Sequence, residues 1–496
     1  MQPSVGFDIG VPAKSYNNAQ RAILERVFYT KNSDGKFGAP PQPRPGIFDE
    51  RCKSFQTKVL RRISRTPPVI SRAQFVDLYT GGKWKVYRRA AENLDVRGLR
   101  RSDANLKCFT KVEKTNFTEK EDPPPRLISP RSPEYNVELG RYVKKVEHEV
   151  YRAIDSVFGE TTVMKHHNAD QAGQIIQGKW DRFCDPICIP LDASRFDQHV
   201  SEQALRYEHN FYKRLFGNDP YLCKLLEWQI QNVGFVNVSD GRIKFRVKGR
   251  RCSGDMNTGL GNVILMTAMT FAFVRQFKFD ISVINNGDDC NLVLERRYIK
   301  QVLPALKPYF REFGFTLKVG EPVDVLEHIE FCQTNPIRVN GHYRMVRDPT
   351  LCRDKDDVCV DGVQSEKDWN KQRGNVACCG LALAGDVPVM GAFYRALGRG
   401  TELERNMIPK TGMEFLAVGM VQKSSPPDPE TRLSFFLAFD YTPDEQRALE
   451  QRYDTVTPRW QAPLGNNKTK PRIQPIDRTI HRTNTKKVHR QLKFLL

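Results

Sequence analysis

The feature that most restricts the fold of this 496-residue chain is a short acidic reversal, Gly287-Asp288-Asp289. β-Forming residues precede it (Ile281, Val283, Ile284) and follow it (Leu292, Val293, Leu294). Two such runs across so short a gap predict a hairpin, and a glycine without a Cβ suits the point of reversal. Adjacent carboxylates at the tip repel each other unless a cation lies between them. A hard ion such as Mg²⁺, which prefers oxygen ligands and keeps substrate phosphates in its shell, meets that need. Taken alone, the triplet also reads as an exposed acidic turn.

A second acidic pair lies upstream. Ile187 to Leu191 reads as a buried strand with Asp192 at its C-terminal end, and Asp197 follows. A helix is predicted from near Ser201, with Ala204, Leu205, Phe211 and Leu215 on its apolar stripe. Asp192 can then meet Asp288 from a neighbouring hairpin, and bridged metal pairs of that kind drive in-line phosphoryl displacement. The plainer reading of Asp192 is a helix N-cap. Further on, Arg251 to Asn262 is a loop of small and polar residues, and Val263 to Val274 reads as an apolar helix. Glycines 254, 259 and 261 permit close backbone approach, as a nucleic-acid strand would need. A plain glycine-rich connector is the competing explanation.

Asp192-x4-Asp197, Ser253-Gly254-x3-Thr258-x3-Asn262 and Gly287-Asp288-Asp289 resemble, in order and spacing, motifs A, B and C of viral RNA-dependent RNA polymerases. The resemblance is nearest to the Tombusviridae polymerases, through Ser253–Thr258, Asn285–Cys290, Tyr135–Tyr142 and Asp192–Val200. Weaker similarity runs from Pro40 to Leu433. It implies an α+β right-hand polymerase fold, with an RRM-like antiparallel palm sheet and a mostly helical thumb. Residues 1–50 would be an N-terminal extension and linker, 51–185 the fingers and 186–345 the palm, with a fingers insertion at 205–250. Residues 346–455 would be the thumb and 456–496 a basic tail.

The resemblance also implies roles. Asp192 and Asp288 correspond to the metal-binding carboxylates and Asp289 to an accessory acid, with Mg²⁺ as cofactor and Mn²⁺ able to substitute. Asp197 and Asn262 correspond to the pair that reads the ribose 2′-hydroxyl, and Ser253 and Thr258 position the nucleotide. Gly254 would lie against RNA. Leu106 to Lys114 alternates like a strand with one cationic face, and with Arg126 it resembles motif F. Lys107, Lys111, Lys114 and Arg126 would then line the nucleotide channel. The Phe75–Tyr87 segment resembles the template entrance, with Lys83 and Lys85 as RNA contacts. Gly81-Gly82-Lys83 stands there where the family often has Gly-Arg-Lys. Lys318 corresponds to a proton donor to pyrophosphate, and Glu330-Phe331-Cys332-Gln333 to the turn that braces the priming end.

Composition agrees. Lys and Arg number 78 against 58 Asp and Glu, a net charge of +20, which favours a polyanionic partner. Such charge alone also suits a non-catalytic RNA-binding replication or coat protein, but that class does not need three ordered carboxylate motifs. The 12 cysteines lack zinc-ribbon spacing and no secretory signal precedes them, so free thiols are expected. Cys352 and Cys359 are the best zinc candidates, and His166-His167 reads as surface or packing. No run reaches the roughly 18 apolar residues of a membrane-spanning helix. The partners expected are single-stranded RNA template, nascent RNA, NTPs and a membrane-anchored viral replication protein. The last would hold the chain at membrane-associated replication complexes in the host cytoplasm. The family often extends a shorter replication protein by readthrough or frameshift. With little ahead of the fingers, either another expression strategy or a truncated extension is expected here.

From Lys468 to Lys493 basic residues accumulate with few acids, which predicts a flexible RNA-holding tail. Deleting residues 460–496 is expected to weaken RNA affinity and flatten its salt dependence in filter-binding titrations. Unchanged binding would remove that role.

Overall fold

The computed structural model describes residues 9–31, 34–117, 122–356, 365–403 and 412–460. The basic tail from 461 and Cys359 lie outside the described residues.

Four antiparallel strands form a central sheet in the order Ile281–Asn285, Asp289–Glu295, Pro186–Ala193, Leu317–Val319. Their near-continuous apolar sequence follows from burial on both faces. Ile187, Ile189, Leu191 and Ala193 enter the main core with Val283, Leu292 and Leu294. Cys188, Ile284 and Val293 enter a smaller core on the opposite face, with Met164, Ile176 and Phe331. Helices Ile47–Arg62, Glu202–Leu215, Thr258–Val274 and Ile299–Glu312 close the main core. Thr258–Val274 is buried almost continuously from Leu260, as its lack of a polar face requires. Ser201 caps the helix beginning at Glu202, its Oγ accepting from the Ala204 amide at 3.2 Å. A short helix not foreseen from sequence, Phe196–His199, precedes it.

A second four-stranded sheet runs Leu127–Ile128, Leu106–Thr110, Gln231–Val238, Gly241–Lys248. Its small core takes in Ala19 and Ile23 of helix Tyr16–Ile23. Thus part of the expected N-terminal extension is packed into this layer. Residues 35–46, within the expected N-terminal extension and linker, meet the end of helix Ile299–Glu312: the Arg44 amide donates to the Glu312 carbonyl at 2.8 Å. Pro41 and Pro43 crowd Gly314, whose φ of +82° keeps it in the left-handed region.

Beyond the hairpin Thr334–Val339/His342–Arg347, helices Glu366–Ala384, Met390–Gly398, Pro429–Phe439 and Pro443–Thr455 build a separate apolar core. Arg344 ties the hairpin to this body. Its side chain is 1% exposed and pairs with Asp386 and with Asp170 of helix Ala169–Trp180. Breaking a buried pair leaves an uncompensated charge. Asp386→Ala is therefore expected to destabilise the fold by about 3 kcal/mol in denaturant titration, the low end for such changes because Asp170 remains. A loss below about 1 kcal/mol would show that Arg344 does not depend on Asp386.

Candidate active site

Strand register assembles the acidic residues. Asp289 opens its strand directly opposite Asp192, and Lys318 lies opposite Asp192 on the other side. Asp288 occupies the turn just before Asp289. The turn needs glycine at 287, where φ is +96°. Buried Asn285 clamps it, donating from Nδ2 to the Gly287 carbonyl at 2.8 Å and accepting the Gly287 amide at 3.0 Å. Residues 162–164 extend this edge: the Asn285 amide donates to the Thr162 carbonyl and the Met164 amide to the Asn285 carbonyl, each at 2.8 Å.

Asp192, Asp288 and Asp289 have no ion-pair partner among the described residues. Desolvation pushes the Asp289 carboxyl above the usual carboxylate range, and the Asp288 and Asp192 charges add to it. The Cys332 thiol opposes the shift, donating to Asp289 Oδ2 at 3.4 Å while receiving Asn286 Nδ2 at 3.0 Å. A divalent cation would relieve the same repulsion. Among the described residues no group of three His, Cys, Asp or Glu side chains forms a ready metal cage.

Beside the acids is a cavity lined in part by Arg26, Arg126, Arg195, Asp197, Ser253 and Asp288. Asn262, in the first turns of helix Thr258–Val274, donates from Nδ2 to Asp197 Oδ1 at 3.1 Å. Burial raises the Asp197 pKa, with the Asn262 hydrogen bond and Arg251 pulling it back. Ser253 Oγ accepts the Ser129 amide at 3.2 Å and donates to the Leu127 carbonyl at 3.4 Å. Thr258 is not brought to the cavity: its hydroxyl closes the loop onto the Cys252 carbonyl at 2.8 Å. At Gly254 the close approach in the structure is to Pro130. A Cβ there would lie 2.5 Å from Pro130 Cα, because the two backbones pair.

The expected cationic strand is shorter than its alternation suggests, ending at Thr110. Lys107 is exposed on it. Lys111 lies beyond it and pairs with Glu113 at 2.9 Å, while Lys114 Nζ donates to the Lys355 carbonyl. Of this set Arg126 alone lines the cavity. Lys83 and Lys85 are exposed on helix Gly81–Arg97 and do not line the cavity. Two arginines replace the missing lysines. Arg195 stands inside the motif A stretch, its left-handed φ of +50° turning the chain there. Arg26 comes from the turn Leu24–Phe28, and nothing in its local sequence marks it. Burial, then the charges of Arg195 and Arg126, bring the Arg26 guanidinium down to about 10. Its buried Nε has no partner. Clustered arginines with unspent donors form a site for an anion with several oxygens. His166, read as surface or packing, stacks on His148 with ring centroids 3.8 Å apart. The described cysteines are free.

A family described as viral RNA dependent RNA polymerase matches residues 1–461. The RNA-directed RNA polymerase of Tobacco necrosis virus (strain A) is 44% identical over 454 residues, 90% of this chain and 62% of the relative. That of Maize chlorotic mottle virus is 40% identical over 461 residues, covering 91% and 47%. That of Tomato bushy stunt virus (strain Cherry) is 40% identical over 457 residues, covering 90% and 54%. The chain thus spans between 47% and 62% of the length of these relatives.

Inorganic tripolyphosphate is expected to raise the melting temperature of the native chain, and to raise it less in Arg26→Ala. Equal shifts in a thermal melt would show that Arg26 does not face the anion site.

Proposed function

The chain belongs to the viral RNA-dependent RNA polymerase family, and from that membership we propose that it copies single-stranded RNA into RNA using NTPs. The observation that carries the reading is the register pairing of Asp192 with Asp289, with Asp288 on the adjoining turn and bordering the arginine-lined cavity. The 3′-hydroxyl of the growing strand attacks the α-phosphate of an NTP, and pyrophosphate leaves.

Asp192 and Asp288, supported by Asp289, would hold two Mg²⁺ or Mn²⁺ ions. Such ions, when bound, lower the pKa of the attacking hydroxyl and stabilise the leaving oxygen. Arg26, Arg126 and Arg195 grip the triphosphate and fix the α-phosphate in line, so that alignment and fixed charge supply much of the rate. Asp197 and Asn262 engage the 2′-hydroxyl with the hydrogen-bonding capacity that their mutual bond leaves over; a deoxynucleotide would leave that capacity unmet, at about 1–3 kcal/mol for each buried group. Lys318, the strand neighbour of Asp192, is the candidate proton donor to pyrophosphate. Lys107, Lys83 and Lys85 offer exposed charge to RNA.

On this reading the central sheet is an RRM-like palm, the second sheet belongs to the fingers, and the C-terminal helices form the thumb. The net charge of +20 supports a nucleic-acid partner. Among the described residues no helix is long and apolar enough to cross a membrane. Work at membrane-associated replication complexes in the host cytoplasm, through a membrane-anchored viral replication protein, is proposed on the resemblance alone.

Labelled NTPs on a single-stranded RNA template with Mg²⁺ test the reading. The native chain is expected to give templated product, and Asp288→Ala none above background. Equal product from both would place the chemistry elsewhere.

A further inference from the structure

We propose that Arg251, held by Glu208, is a positioning residue that fixes the orientation of the Asn262 amide and thereby sets the preference for ribonucleotides. The inference rests on the reading of Asp197 and Asn262 as the pair that meets the sugar.

An asparagine side chain can exchange its oxygen and nitrogen by half a turn about its last bond. Its hydrogen-bonding sense is therefore set by its neighbours. Here one neighbour can only donate. Arg251 Nε lies 2.9 Å from Asn262 Oδ1, and a guanidinium has no acceptor, so the atom facing it must be oxygen. Nδ2 is then turned to Asp197 Oδ1 at 3.1 Å, where an ionised carboxylate can only accept. The flipped amide would set N–H against guanidinium and C=O against carboxylate. One orientation survives, and it leaves a second Nδ2 hydrogen beside a carboxylate with spare acceptor capacity. A sugar hydroxyl, which donates and accepts at one oxygen, satisfies both; a hydrogen in its place satisfies neither.

Arg251 is itself immobilised. Its Nη2 pairs with Glu208 Oε2 at 2.5 Å, and both side chains are 0% exposed. The other Glu208 oxygen accepts from Asn257 Nδ2 at 2.8 Å and from the Tyr212 hydroxyl at 2.9 Å. The Arg251 amide donates to the Asp197 carbonyl at 3.0 Å, so the same residue also anchors the backbone of the acid. The pair crosses helix Thr258–Val274 at Gly261, the residue before Asn262. A Cβ at 261 would come within 2.2 Å of Glu208 Oε1 and 2.5 Å of Arg251 Nη2. Arg251 also lines the cavity beside Asp197 and Asp288. Burying two charges is costly in free energy and is poor evidence for stability. A role in orientation explains why the charges lie directly behind the amide.

The test is single-nucleotide extension of a primed RNA template by the full chain, comparing kcat/KM for ATP and 2′-deoxy-ATP. The double variant Arg251→Met/Glu208→Gln removes both charges together, and the carboxamide oxygen introduced at position 208 can still accept from Asn257 and Tyr212. It is expected to lose about tenfold of the ATP preference, the effect of one misdirected buried hydrogen-bonding group. The loss falls on ATP, with 2′-deoxy-ATP affected much less. Glu208→Gln alone, the milder change should the double variant fail to fold, is expected to move the ratio in the same direction. An unchanged ratio in whichever variant folds, or a parallel fall for both nucleotides, overturns the proposal. No templated product from the native chain would overturn the polymerase reading itself, and this inference with it. The two failures are thus distinguishable.

Discussion

Antiparallel pairing between Pro186–Ala193 and Asp289–Glu295 decides where the reactive groups of this protein lie. A slip of one residue would turn Asp192 and Asp289 away from each other and send their apolar neighbours to the wrong faces. The sheet resists that slip from both sides. Ile187, Ile189 and Leu191 are committed to the main core and Cys188 to the smaller one, so no alternative register buries the same surface. The Gly287 turn then follows from the pairing, since the hairpin closes directly before Asp289. Catalytic precision, on the proposed reading, is inherited from ordinary hydrophobic alternation.

Buried charge is used at seams rather than spread through the core. Arg131 and Asp255, 0% and 3% exposed, join the segment after motif F to the motif B loop. Arg251 and Glu208 join that loop to helix Glu202–Leu215, and Arg344 and Asp386 join the hairpin to the C-terminal helices. Each links elements far apart in sequence. Replacing such a pair with apolar residues would often leave stability unchanged, so what the pairs supply is a single geometry between parts that could otherwise slide. Surface pairs such as Arg88–Glu92, each about three-fifths exposed, contribute little by comparison.

This division explains what could be read from sequence. Asp192, Asp197, Asn262 and Asp288 sit in short stretches whose spacing is set by one strand, one turn or one helix, and local pattern reveals them. The central strands are legible for the same reason. Lys111 and Lys114 leave the pattern because alternation continues past Thr110 while the ladder does not: Lys111 pairs with Glu113 two residues on, and Lys114 with the distant Lys355 carbonyl. Arg26 is illegible: its neighbours in the cavity come from residues 126 and 195, and no local period connects them. Glu208 is missed because its partner is 43 residues away and the pair's meaning lies in the amide behind it. Arg195 is the instructive middle case, lying inside a recognisable motif yet noticed only when the cavity is seen.

The acids and the arginines stand close without neutralising one another. Asp192, Asp288 and Asp289 keep no ion pair among the described residues, while Arg26 and Arg195 are pushed toward losing their protons, first by burial, with the charge of another arginine adding to it. A fold selected for stability alone would have paired these charges across the cavity. Keeping them apart leaves two unsatisfied fields of opposite sign, and each disfavours the empty site. A ligand that brings cations to one and phosphate oxygens to the other relieves both at once; neither a bare metal nor a bare nucleotide does so. On that argument metal and triphosphate should bind cooperatively, since each supplies the charge the other's side of the cavity lacks.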